Sequence, residues 1–79
     1  MDELLKIIAV ALKLPIGDIA PSTSMKNNAA WDSLAHMEII IGIEEHYQIV
    51  LDGDEIADMV SVAAIIDQLR KRSLLDNGA

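Results

Sequence analysis

One serine in this chain stands where chemistry is easily done. Ser33 follows Asp32 at the point where a loop-forming composition gives way to a helical one. Free backbone N–H groups and the positive end of the helix dipole make such a junction a good place for a phosphate. A serine at the first helical position also points its hydroxyl outward, within an enzyme's reach. Its bland role there is capping, and Asp32 is available to cap in its stead. His36, three residues on, invites comparison with a nucleophile–base pair. A Ser-His-Asp hydrolase needs a base oriented by an acid and an oxyanion hole, and nothing in this chain builds them. His36 and His46 are ten residues apart and about 80° apart on a helical wheel. With no Cys in the chain and no histidine four residues from either, they do not read as metal ligands. Asp52-Gly53-Asp54 begins like a calcium loop and fails at once. Where an EF-hand needs Asp or Asn, then Gly, then a final acid, this chain has Ile56, Ala57 and Ala63. No catalytic set and no metal set remains, so the chain does not read as an enzyme.

Three helices and one short turn must position Ser33. The first runs from about Asp2 to Leu14, with Leu4, Leu5, Ile8, Ala11 and Leu12 on one face. Pro15 disfavours helical geometry at Leu14 and predicts a stop there. From Pro15 to Trp31 the periodicity is lost among Pro, Gly, Ser, Thr and Asn, which is loop chemistry. Ile16, Ile19 and Met25 are the expected pins of this long loop. The second helix spans Ser33 to about Tyr47 with Asp32 as N-cap. Ile49-Val50-Leu51 reads as a connector burying two of its three side chains, and Asp54-Glu55-Ile56-Ala57 as a minor helical turn. The last helix spans about Val62 to Arg72 with Ser61 as N-cap, and its Arg70-Lys71-Arg72 end suits the dipole. The expectation is one small all-α domain over residues 1–79: a four-helix bundle of three main helices and one short one, ordered from about 2 to 72, with a long loop between helices one and two and a frayed tail.

The second helix carries two apolar faces. With Ser33 at 0° on the wheel, His36, Ile39, Ile40, Ile43 and Tyr47 fall between about 240° and about 340°. That stripe is enough to face the core. Leu34, Met37 and Ile41 fall between about 40° and about 100°, among Glu38, Glu44 and Glu45. Either the domain wraps this helix on both sides, or the second face is an exposed docking strip with a charged rim. In the latter case the strip leads to the Ser33 hydroxyl, because residues 33, 37 and 41 lie on one line of the helix.

Charge favours docking. The 79 residues hold 13 Asp and Glu against six Lys and Arg, a net charge of −7. Between Lys26 and Arg70 there is no Lys or Arg and there are nine acids. That field argues against nucleic acid, whose phosphates it repels, and favours basic partners. No apolar run is long enough to span a membrane, and the first residues do not form a signal peptide. The expected location is the cytoplasm.

Trp31-Asp32-Ser33-Leu34, followed by Ala35-His36-Met37-Glu38-Ile39-Ile40-Ile41-Gly42-Ile43-Glu44-Glu45, resembles an acyl carrier protein of the freestanding type. The likeness extends to the Leu-rich first helix, the Pro/Ser/Thr loop, the minor turn and the Ser61-Val62 start of the last helix. The resemblance implies that Ser33 carries 4′-phosphopantetheine, transferred from coenzyme A by a phosphopantetheinyl transferase. It implies a carrier of acyl or aminoacyl thioesters, monomeric, with Asp32, Leu34, Met37, Glu38, Ile41, Glu44 and Glu45 meeting the basic patches of loading and transferring enzymes. It further suggests that apolar space near Ile43, Ile56 and Met59 shelters short acyl chains. Trp31 stands where housekeeping fatty-acid carriers usually have a small residue, and Ala35 where they often have an acid. The Ile49–Gly53 stretch lacks a frequent Pro. These departures imply a specialised pathway, secondary-metabolite, surface-polysaccharide or unusual-lipid. The rival expectation is an acidic helical adaptor with Ser33 unmodified.

Overall fold

Side-chain caps start three of the four helices. In the computed structural model, which describes residues 2–75, α1 spans Asp2–Leu12, α2 Ser33–Tyr47, α3 Gly53–Asp58 and α4 Val62–Lys71, with a 3₁₀ turn at Ile16–Asp18. Asp32 accepts from the Ala35 N–H at the head of α2, and Ser61 from the Ala64 N–H at the head of α4. Asp52 and Glu55 form a reciprocal capping box around α3, which secures a helix of only six residues. The described residues contain four α-helices and no strand, an all-α bundle as the periodicity implies.

The long helices end by a shared device. Lys13, Gln48 and Ser73 take left-handed backbone, with φ of 59°, 56° and 60°. After each comes an apolar residue whose N–H returns to a carbonyl five positions back: Leu14 to Ala9, Ile49 to Glu44 and Leu74 to Leu69. This is the Schellman closure, in which the apolar residue folds back onto its own helix. Leu14, Ile49 and Leu74 are all half-buried against the core. The first helix therefore ends at Leu12, two residues before the stop expected from Pro15. The left-handed turn at Lys13, rather than the proline, reverses the chain. Leu74 and Leu75 also pack on the core; the tail at Asp76–Ala79 lies outside the described residues.

Leu4, Ile8 and Leu12 of α1 meet Ile39, Ile40 and Ile43 of α2 and Val62, Ile65 and Leu69 of α4 in one core, closed by Leu51 and Met59. Burial of each such side chain contributes about 1.5–3 kcal/mol of transfer free energy. Ile43 and Met59, where apolar space for a cargo was expected, are 0% and 1% exposed and serve as core. Helices α1 and α2 are antiparallel and close. A Cβ on Gly42 would lie 2.8 Å from Ile7 Cγ2, so only glycine permits that approach. At the far end of the same seam, burial and the Glu3 carboxylate push the Tyr47 phenol up.

The loop from Pro15 to Asp32 is tied to α4 by its own backbone. The N–H groups of Val62 and Ala63, which no helical carbonyl can reach, donate to Thr23 O at 2.9 Å and Pro21 O at 3.0 Å. Met25 N–H donates to Val60 O at 2.9 Å, beside an antiparallel bridge between Ser24 and Ser61. Of the expected pins, Ile19 is buried and Met25 half-buried. Ile16 is 44% exposed, because the 3₁₀ turn it begins leaves its side chain outside.

An ion pair fastens α3 to α4. Arg72 Nη2 binds Glu55 Oε2, and Gln68 Nε2 donates to the same oxygen at 3.0 Å. The Arg72 hydrogen bond, helped by the Asp52 N–H, holds the Glu55 carboxyl below the usual glutamate value. A carboxyl so lowered stabilises the fold above pH 4.5, and the contribution disappears as pH falls through its folded-state value. Glu55→Gln should therefore flatten the acid limb of a melting-temperature profile. Parallel acid limbs in wild type and variant would show that the pair is energetically idle.

Candidate functional site

Ser33 is the first residue of α2 and is exposed. Asp32 Oδ1 takes the Ala35 N–H at 2.8 Å, so the cap is supplied and the Ser33 hydroxyl is released from that duty. Asp32 is itself exposed, and its backbone carbonyl accepts the first helical bond, from His36 N–H. The N–H groups at the head of α2 and its dipole favour an anionic group on the Ser33 oxygen. That arrangement fits a phosphodiester.

The residues flanking Ser33 are held by a buried polar chain absent from the sequence reading. Trp31 is 1% exposed and His36 8%. Trp31 Nε1–H donates to His36 Nδ1 at 3.1 Å, and His36 Nε2 lies 2.9 Å from the Ile56 carbonyl. Indole nitrogen only donates and a carbonyl only accepts, so His36 carries its proton on Nε2 and donates it to Ile56. One chain of hydrogen bonds thus joins the loop before Ser33, the first turn of α2, and α3. A signal for it was present: the chain has a single Trp, set in a loop of small residues, and a buried indole N–H demands an acceptor.

The two faces of α2 part as their composition allows. His36, Ile39, Ile40 and Ile43 are buried and Tyr47 half-buried. Leu34, Met37 and Ile41 are 71%, 47% and 49% exposed, so the domain does not wrap the second face. Glu38 and Glu45 are exposed at its rim. Glu44 is half-buried, and its Oε2 accepts the Leu51 N–H at 2.9 Å, closing the connector between α2 and α3. Thus the structure brings together Ser33, the three apolar residues and two free rim acids, and gives Glu44 a second, structural duty. His46 is exposed and stacks edge-on with Tyr47, ring centroids 4.7 Å apart. Among the described residues no group of three or more His, Asp and Glu is placed to hold a metal, and no helix is long and apolar enough to cross a membrane.

Residues 2–69 match the family model described as a phosphopantetheine attachment site. An acyl carrier protein of Desulforapulum autotrophicum is 38% identical over 69 residues, covering 86% of this chain and 90% of that protein. Acyl carrier protein 3 of Ralstonia nicotianae is 29% identical over 79 residues, 100% of this chain and 90% of that protein. An acyl carrier protein of Streptomyces coelicolor is 29% identical over 70 residues, 87% of this chain and 76% of that protein.

Proposed function

Because the chain belongs to the acyl carrier protein family, a family of carriers rather than enzymes that bear covalent 4′-phosphopantetheine, we propose that Ser33 is the attachment residue and α2 the docking face. When bound, the group supplies a flexible arm whose terminal thiol holds acyl groups as thioesters. Everything else falls to the chain. Ser33 offers the oxygen of the phosphodiester, Asp32 caps the helix so that this hydroxyl stays free, and the head of α2 stabilises the phosphate charge. Leu34, Met37 and Ile41 give a partner apolar contact, and Glu38 and Glu45 draw its basic groups.

The observation that carries this reading is the exposed Ser33 hydroxyl at the end of an exposed apolar strip, with the cap supplied by its neighbour. Partners are a phosphopantetheinyl transferase and enzymes that load or take the acyl or aminoacyl cargo, in the cytoplasm where coenzyme A is available. Trp31, paired with His36, stands where housekeeping fatty-acid carriers usually have a small residue, which supports service in a specialised biosynthetic pathway. The test is intact mass before and after incubation with coenzyme A and a broad-specificity transferase. A gain of one phosphopantetheinyl group is expected. An unchanged mass for folded protein would overturn the assignment and favour an adaptor that shares the fold.

Rim charges should separate by role. Glu38→Lys should slow loading by up to about fivefold, the scale of an exposed ion pair, with no change in melting temperature. Glu44→Lys should also cost about 1–3 kcal/mol of stability, because the Leu51 N–H loses its acceptor. Equal melting temperatures for the two variants would refute the division.

A further inference from the structure

The seam between α2 and α3 is filled by the protein itself. Ile43 and Met59 are buried there, and Ile56 packs on the same core. A hydrocarbon chain could enter only if α3 moved away from α2. That helix has six residues and none of them is buried, so its placement depends heavily on polar bonds. Its approach is fixed by the Leu51 N–H on Glu44, and its α4 side by Arg72 and Gln68 on Glu55. Its tie to α2 is the bond from His36 Nε2–H to the Ile56 carbonyl, 2.9 Å long. His36 is buried, and its other nitrogen is taken by the indole N–H of the buried Trp31.

We propose that the His36–Ile56 bond keeps the α2–α3 seam closed to hydrocarbon, so that the cargo rides outside the protein body and is a short or polar acyl group, aminoacyl groups included. This rests on the carrier reading and names the substrate class of the same site. Parting the seam breaks the bond, and a methylene chain in its place offers the Nε2–H no acceptor and the carbonyl no donor. Leaving those two groups unpaired offsets the burial of roughly three to seven methylenes. The penalty spreads to Trp31, whose N–H keeps its acceptor only while His36 holds its ring in place with the proton on Nε2. A short or hydroxylated or amino-bearing group loses little by standing in water, whereas a long aliphatic chain loses much. His36 is thus a positioning residue for α3 and, through α3, the residue that sets which cargo suits the carrier. A groove of about 490 Å³, lined by Leu5, Ile19, Val62 and Ile66 among others, lies between α1, the loop and α4 and takes no residue from α2 or α3. A chain lodged in that groove would count against the proposal as much as one in the seam.

The experiment loads wild type, His36→Asn and His36→Leu with acetyl-, butyryl- and hexanoyl-coenzyme A by means of a broad-specificity phosphopantetheinyl transferase. Intact mass confirms loading, and thermal melting followed by circular dichroism is compared across chain lengths within each variant. A chain that binds the folded state stabilises it, by about 3–6 °C for each methylene buried. Wild type should melt at the same temperature with all three cargoes. His36→Asn keeps an acceptor for Trp31 but is too short to reach Ile56, and its melting temperature should climb from acetyl to hexanoyl. His36→Leu, which also lacks the donor, decides the matter if His36→Asn does not fold. A wild-type rise of about 3 °C or more at hexanoyl overturns the proposal. A level response in the variants as well as in wild type removes His36 as its cause. Failure of wild type to load at all is a different outcome, which removes the carrier reading itself.

Discussion

Ser33→Ala should melt with the wild type and accept no phosphopantetheinyl group. An exposed residue with no structural partner changes stability within about 0.5 kcal/mol when substituted. Ser33 meets that description, because Asp32 Oδ1 already takes the Ala35 N–H at 2.8 Å. The loss of loading is by contrast complete, since the side-chain oxygens that Asp32 brings to the head of α2 belong to a carboxylate and not a hydroxyl. Asp32→Ala is the informative companion. It removes the cap, costs about 1 kcal/mol, and leaves the hydroxyl in place, so stability falls while loading persists at a reduced rate. The pair is read by thermal melting and intact mass. Unfolding of Ser33→Ala would make the serine structural and withdraw its assignment as the attachment point.

Trp31→Ala should be the most damaging substitution near the site. Replacing a buried Trp by Ala costs about 3–5 kcal/mol in other cores. A domain of this length has about 4–12 kcal/mol in all, so the variant loses roughly a quarter of its stability or more. The damage is also directional. With the indole gone, His36 Nδ1 loses its donor, and the connection through His36 to the Ile56 carbonyl is weakened. Trp31→Phe keeps most of the buried ring and removes only the N–H, at a cost of about 1–3 kcal/mol. Urea denaturation followed by circular dichroism gives both numbers. A Trp31→Ala midpoint equal to that of Trp31→Phe would show that the indole's volume, rather than its hydrogen bond, is dispensable, and would overturn the account of Trp31 as a core residue.

How the site is stabilised bears on what it can do. Ser33 is free to react because nothing holds it, yet its position is held from both sides, by Asp32 on the backbone and by Trp31 and His36 beneath it. The Ser33 oxygen has local freedom on a fixed mount. The same economy appears on α2, whose inward stripe makes the core and whose outward strip is left exposed.

Local chemistry determined much of this protein in advance. Asp32, Asp52 and Ser61 mark helix starts because a short oxygen-bearing side chain meets an N–H three residues on, an interaction confined to one turn. The start of α2 at Ser33 and the inward set His36, Ile39, Ile40 and Ile43 follow from caps and periodicity alone. The cluster around Ser33 was legible for the same reason, since a junction and the strip beside it occupy one helix. Other features depended on residues far apart. Whether Leu34, Met37 and Ile41 were covered could not be read from their own helix, because a wheel shows that two faces are apolar and not how many neighbours arrive to bury them. The stop at Leu12 required Leu14 to find a place on the core, which the proline nearby does not reveal. The loop before α2 is held by carbonyls that cap α4 some forty residues later, and Trp31 reaches α3 only through His36. Glu44 counted as a rim acid until the connector brought the Leu51 N–H to its carboxylate. Caps and faces are set by neighbours along the chain; which face stays open, and which charges stay free, is set by packing between segments that the chain order leaves far apart.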